Sequence, residues 1–234
     1  SMRKIGIFMV VLTFSISACT QSADPYYVRM ADSEMQRNPE SWMVDFSKEL
    51  KWNYCHGLEL GAILDVWKKT NDRKYFDYAE SYADSVVNED GTIKTYRLEE
   101  YNIDRLNSGK MLFPIYEETK DEKYRLAMAL LRSQMNTHPR TSNGLFWHKK
   151  IYPHQVWLDG IYMASPFLAR YAHDFDKPEW YDEVVFQITE IYKHVKDEKT
   201  GLVYHAWDES KQQQWCNPET GQSYIFGAGE PVGI

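Results

Sequence analysis

The chain has 234 residues, enough for one domain, with 43% hydrophobic and 15% aromatic content, so a sizeable core is available to it. Its formal net charge is −7 and no long basic run interrupts it, which argues against nucleic acid as a partner, although a few local cations can still hold a small anion. Eight Trp and 17 Tyr suit either helical packing or a site for a planar or sugar ligand.

The first segment reads as an export signal. Arg3-Lys4 precede a short apolar run, Ile5 to Ile16, which is too short for a membrane span and ends in "ISAC". Small residues before Cys19 resemble a bacterial lipobox. Residues 1–23 are therefore expected to be a lipoprotein signal and tether. The expectation is an exported chain, periplasmic or tethered to the outer membrane through a lipid on Cys19. Cys55 and Cys216 remain, and nothing in their spacing requires a disulfide.

From residue 24 onward the pattern is helical and weakly repeated. "KKTNDRKYFDYAESYADSV" (68–86) resembles "EETKDEKYRLAMALLRSQM" (117–135), and 172–192 is a looser third copy. Each holds a polar turn, an aromatic and an amphipathic helix; in 74–87, Asp77, Glu80, Ser81 and Asp84 fall opposite Phe76, Tyr78, Ala79, Tyr82 and Ala83. Ahead of each copy runs a more evenly apolar helix opening near Gly57, Gly109 or Gly160. Buried helices alternating with amphipathic ones predict an α/α toroid. The connections 88–108 and 136–158 are long and rich in turn residues, as functional loops are.

Two acids stand where such loops meet inner helices: Asp104 in "NIDRLNSGK" and Asp159 in "VWLDGIY". Either can be a helix cap. The apolar flank of Asp159, Trp157 above all, also suits a desolvated carboxyl acting as a general acid, with Asp104 coupled to it. "FWHKKIYPHQ" brings His148, Lys149, Lys150 and His154 just ahead of Asp159, as a solvated basic loop or a site for a carboxylate. "YHAWDES" adds His205 and Trp207. No metal motif, cysteine pair, phosphate loop or nucleophile elbow is present, so no metal or cofactor is expected.

Three stretches, "NIDRLNSGKMLFPIYEET", "PRTSNGLFWHKKIYPHQVWLDGIYMASPF" and "GLVYHAWDESKQQQWCNPETGQS", resemble the unsaturated rhamnogalacturonyl hydrolases of glycoside hydrolase family 105, from about Trp42 to Ser223. The resemblance implies an all-α (α/α)6 barrel, here spanning 24–234 with about four of six hairpins. It also implies a hydrolase that removes 4,5-unsaturated galacturonate from pectin-lyase products by hydrating the vinyl ether, its partner an unsaturated galacturonyl-rhamnose oligosaccharide. By the same resemblance Asp159 is the catalytic acid/base and Asp104 the second acid. Trp157, Lys149, His148, His205 and Trp207 then surround the substrate.

After "PETGQS" the family pattern is lost. Gly227 and Gly229 stand where the family carries Trp and Arg, and one choice of codons read two bases later restores the family motif. A reading-frame slip is the expectation, which makes an inactive, sugar-binding remnant the alternative to the enzyme. A helical scaffold is the third reading, and "WHKKIYPHQVWLDG" argues against it.

Overall fold

The structure is a computed structural model that describes residues 24–227. The expected signal, Cys19 and Gly229 lie outside the described residues. Among the described residues seven α-helices dominate: α1 (Tyr26–Arg37), α2 (Tyr54–Thr70), α3 (Arg73–Val86), α4 (Leu112–Thr119), α5 (Glu122–Gln134), α6 (Asp159–Asp174) and α7 (Glu179–Val195). A 3-10 segment, Ile103–Met111, runs directly into α4. Two short strands, β1 (Gln155–Trp157) and β2 (Ala206–Asp208), pair antiparallel.

The repeat has a physical basis in its turns. Asn71 and Lys120 both take the left-handed conformation that ends an inner helix, at φ 57° and 55°. Asp72 and Asp121 then cap α3 and α5, each accepting from the backbone N–H two residues on at 3.1 Å. Thr70 and Thr119 close both turns, each donating to the carbonyl four residues back at 2.8 Å. The third turn breaks the pattern, since Pro178 precedes α7.

The outer helices are linked by a second repeated device. Tyr75 of α3 donates to Asp32 of α1 at 2.8 Å, and Tyr124 of α5 donates to Glu80 of α3 at 3.2 Å. Both rings are buried. Arg132 of α5 then lies over Trp180 of α7, 5.4 Å from the ring centroid. The outer layer is thus α1, α3, α5 and α7 in order, around an inner layer of α2, the segment 103–119 and α6. The described residues hold three complete hairpins and the single outer helix α1, where about four hairpins were expected.

The inner layer packs closely at its glycines. A Cβ on Gly57 would stand 2.3 Å from Ser108 Cα, so α2 and the 3-10 segment meet backbone to backbone. Ser108 Oγ accepts from Gly57 N at 2.9 Å across that contact. The expected helix near Gly109 therefore begins six residues earlier, and Asp104 sits inside a helical turn, not ahead of one. Asn102 caps that turn, accepting from Asp104 N at 3.0 Å.

Candidate active site

Three inter-hairpin loops are tied together by backbone hydrogen bonds. Ile103 N donates to His148 O at 3.0 Å and Lys150 N to Tyr101 O at 3.0 Å, which joins the first loop to the second. β1 and β2 join the second to the third, with Trp157 opposite Ala206 and Leu158 N donating to His205 O at 2.7 Å. Residues from 101–104, 146–158 and 204–208 are thereby held at one rim.

Asp104 is buried in this rim. Its Oδ2 lies 2.8 Å from Lys149 Nζ and its Oδ1 3.0 Å from His148 Nε2. The second contact is close but lacks hydrogen-bond alignment. Burial pushes the Asp104 carboxyl up, but His148 and Lys149 together outweigh burial and hold it below the ordinary range.

Asp159 is the first residue of α6, and its side chain caps nothing. Its Oδ1 is buried without a protein hydrogen-bond partner. Burial raises its carboxyl above the ordinary range, and nearby Asp104 adds to the rise against the opposing pull of His148 and His205. The two carboxyls are thus driven apart. Asp159 can carry a proton at a pH where Asp104 is ionised, the arrangement acid–base chemistry needs. The helix-cap reading fails for both acids, because Asn102 caps one helix and Asp159 makes no cap bond in the other.

The aromatic groups form a stack. His148 lies on Trp157 at 4.5 Å between centroids, and Tyr152 also stacks on Trp157 at 5.3 Å, both within 13° of parallel. Gln155 Oε1 accepts from Trp157 Nε1 at 3.1 Å. Tyr152 escaped sequence reasoning, although it is five residues before Trp157 in the same aromatic loop.

His205 is buried and its Nδ1 lies 2.9 Å from Gly227 O. A carbonyl only accepts, so Nδ1 is the donor in that contact, and Nε2 is buried without a protein hydrogen-bond partner. Trp207 is not brought to the site. It stacks on His194 at 3.9 Å and belongs to a separate small core with Leu145, Val156, Ile191 and Val195. The basic loop divides likewise: His154 pairs with Glu209 at 3.2 Å and Lys150 lies over Tyr101, both away from the acids.

Among the described residues, Asp104, His148 and Asp159 offer ligand atoms within 4.8 Å of one another, close enough to hold a metal ion. The Lys149 ammonium beside Asp104 opposes a cation there. Asp104 lies on the 3-10 segment, His148 on the connection into α6 and Asp159 at the start of α6, so no spacing motif announces the grouping.

A family model described as Glycosyl Hydrolase Family 88 matches residues 26–228. The unsaturated rhamnogalacturonyl hydrolase YesR of Bacillus subtilis (strain 168) is 22% identical over 173 residues, covering 71% of this chain and 48% of its own. A solved family 105 glycoside hydrolase of C. acetobutylicum ATCC 824 superposes with a TM-score of 0.80 at 47% identity, over 86% of this chain and 54% of that one. A solved possible family 105 member from Klebsiella pneumoniae shares the fold, with a TM-score of 0.66 at 18% identity over 90% and 59%. The chain spans about half the length of these relatives. The resemblance read from the sequence is borne out.

Proposed function

The chain belongs to Glycosyl Hydrolase Family 88, and on that footing we propose that it is a glycosidase of unsaturated uronide oligosaccharides, taking terminal 4,5-unsaturated galacturonate from rhamnogalacturonan fragments. The observation that carries the reading is the split acid pair: Asp159 raised by burial, Asp104 lowered by His148 and Lys149.

Hydration of a vinyl ether fits that pair. The protonated Asp159 gives its proton to C4 of the double bond, leaving positive charge shared between C5 and the ring oxygen. Water adds at C5 and returns a proton to the Asp159 carboxylate. The resulting hemiketal opens, and the glycosidic bond then breaks to release the neighbouring sugar. Asp104 stays ionised and steadies the developing cation, while Lys149 faces the uronate carboxylate at the same rim. His205 offers its Nε2 to the sugar. One carboxyl serves as both acid and base, so no nucleophile is required.

The test is Asp159→Asn, scored by loss of the conjugated double bond of an unsaturated galacturonyl-rhamnose disaccharide. The asparagine matches the shape but carries no acidic proton. Turnover by the wild type and none by the variant supports the reading. Equal turnover by both removes Asp159 from the chemistry, and no turnover by the wild type favours the binding-only alternative. The export reading is likewise proposed, from "ISAC" alone; incorporation of labelled fatty acid that is lost in Cys19→Ala tests it.

A further inference from the structure

Two polar side chains are sealed against the loops that carry Asp104 and His148. Gln134, the last residue of α5, is fully buried, and His138, four residues on, is 3% exposed. Burying such groups costs free energy unless each polar atom is paired. Both side chains meet that condition. Gln134 Oε1 accepts from Tyr96 OH at 2.8 Å. Its Nε2 donates to Asn102 O at 3.1 Å and lies 3.4 Å from His138 Nδ1. His138 Nε2 lies 2.7 Å from Trp147 O.

The directions follow from the partners. A carbonyl only accepts, so His138 Nε2 donates to Trp147 O. In the neutral ring Nδ1 is then the acceptor, and the second amide proton of Gln134 faces it. Burial keeps the ring neutral by pushing the imidazole down to about 4. The result is one directed chain, from Tyr96 through Gln134 and His138 to Trp147, with a branch to Asn102.

Both ends of that chain fall next to the site. Asn102 caps the turn that holds Asp104, and Trp147 immediately precedes His148. Asn102 and Lys149 form an antiparallel bridge, flanked by the bonds Ile103 N to His148 O and Lys150 N to Tyr101 O, each 3.0 Å. In that register the carbonyl of Asn102 turns away from the partner strand. There it accepts from Arg105 N at 3.2 Å and from Gln134 Nε2. The His138 ring stands edge-on to Tyr101 at 5.7 Å and to Phe146 at 5.5 Å, one aromatic from each loop. A bridge of two hydrogen bonds is weak alone. The contact it must hold is tight, because Lys149 Nζ and His148 Nε2 stand 2.8 and 3.0 Å from the Asp104 oxygens.

We propose that Gln134 and His138 are positioning residues, which brace the two loops so that His148 and Lys149 stay against Asp104. Neither touches the substrate; each acts through a backbone carbonyl beside a residue of the site. The inference rests on the proposed function only in treating Asp104 as an acid of the reaction.

Amide hydrogen exchange, read residue by residue, tests the brace without any turnover. His138→Phe keeps a ring of similar size and loses both nitrogens. It should speed exchange at Ile103 and Lys150 by about tenfold, the equivalent of one lost hydrogen bond. Leu158, bonded to the third loop, should stay unchanged. His138→Gln should restore protection, because its amide can donate to Trp147 O. Turnover of the unsaturated disaccharide is measured on the same proteins. His138→Phe should lower kcat and move the acidic limb of the pH profile up by about half a unit or more, as the cations withdraw from Asp104. Tyr75→Phe loses a hydrogen bond of the outer layer, and should lower the unfolding temperature while the limb stays in place. Tyr96→Phe takes only a hydroxyl from Gln134 and serves where His138→Phe does not fold; it should show the same local pattern at smaller amplitude. Unchanged exchange at Ile103 and Lys150, an equal rise at Leu158, or an equal limb shift in Tyr75→Phe overturns the proposal. Local loosening with no turnover by the wild type leaves the brace standing and removes the proposed function; turnover with unaltered exchange does the reverse.

Discussion

Trp157 lies flat on His148, the ring centroids 4.5 Å apart and the planes 11° from parallel. His148 in turn reaches Asp104 at 3.0 Å. The tryptophan therefore backs the histidine that lowers the second acid. Trp157→Ala should remove that backing. The expected result is a fall in kcat larger than the rise in KM, with Trp157→Phe recovering most of it. A change confined to KM would instead make Trp157 a substrate platform.

The acid pair predicts a bell-shaped pH profile. In the proposed mechanism Asp104 acts ionised and Asp159 protonated, and the two apparent values belong to the coupled pair. Lys149→Met removes a cation that lowers Asp104, so the acidic limb should move to higher pH. Asp104→Asn removes a negative charge that raises Asp159, so the residual activity should lose its basic limb at lower pH. Limbs that stay in place in both variants would sink the assignment of the two acids.

Gly160 explains why an inner helix opens on glycine beside the catalytic candidate. A Cβ there would stand 3.0 Å from His148 Nδ1 and 3.4 Å from Ile103 Cγ2. Gly160→Ala should tilt His148 off Trp157 and cost about 1–3 kcal/mol of stability as overpacking, with activity falling further than stability explains. Gly57→Ala meets backbone, with Ser108 Cα 2.3 Å away, and should be the more damaging to folding. Thermal unfolding of the two variants side by side checks the order.

Much of this was legible from the residues. The two Thr-x-Asp turns, at 70–72 and 119–121, repeat in sequence because the same left-handed residue and aspartate cap are needed in each hairpin. Asp104 and Asp159 were readable as partners because both precede inner-helix runs. The rest depended on contacts between distant segments. Helicity begins at Ile103 because Asn102 caps it and His148 O accepts its N–H, and periodicity carries neither fact. Trp207 turns away because strand alternation sets it beside Val156, and the three-residue strands are too short to show alternation beforehand. The carbonyl that meets Lys110 is that of Tyr162, left bare by Pro166 on another helix.

Glu59 on α2 gives a stability test away from the site. Burial first, then Glu34 and Asp45, raises its carboxyl to about 7 from an ordinary value of 4.5. A raised carboxyl binds its proton more tightly in the folded chain than in the unfolded one. Its stabilising contribution is full below the unfolded value and lost as pH rises towards 7. Glu59→Gln should therefore flatten the decline of stability between about pH 4.5 and 7. An unchanged slope in that window would show that Glu59 titrates normally.

Asp208 provides the last test, because it shapes the loop that presents His205. It is fully buried, yet both oxygens are occupied: Oδ1 accepts from Ser210 N at 2.9 Å and Ser210 Oγ at 2.7 Å, and Oδ2 from Gln212 N at 2.9 Å and Gln213 N at 3.0 Å. Three of these four donors are backbone N–H groups, so the carboxylate folds the turn after β2 around itself. Asp208→Asn would put an amide NH2 where one oxygen now accepts, opposing N–H to N–H and leaving buried donors unmet. Hydrogen bonds to a charged group are worth about 1.5–3 kcal/mol each, so the loss should exceed that of an ordinary surface change. The strain would pass through β2 to His205, whose carbonyl holds Leu158 N at 2.7 Å, one residue before Asp159. Asp208→Asn should thus lower both the unfolding temperature and kcat. Trp207→Phe disturbs only the small core beyond the strand, and should lower stability while kcat, measured well below its unfolding temperature, stays near wild type. If Trp207→Phe cut kcat as deeply as Asp208→Asn, the tryptophan would have to reach the site after all.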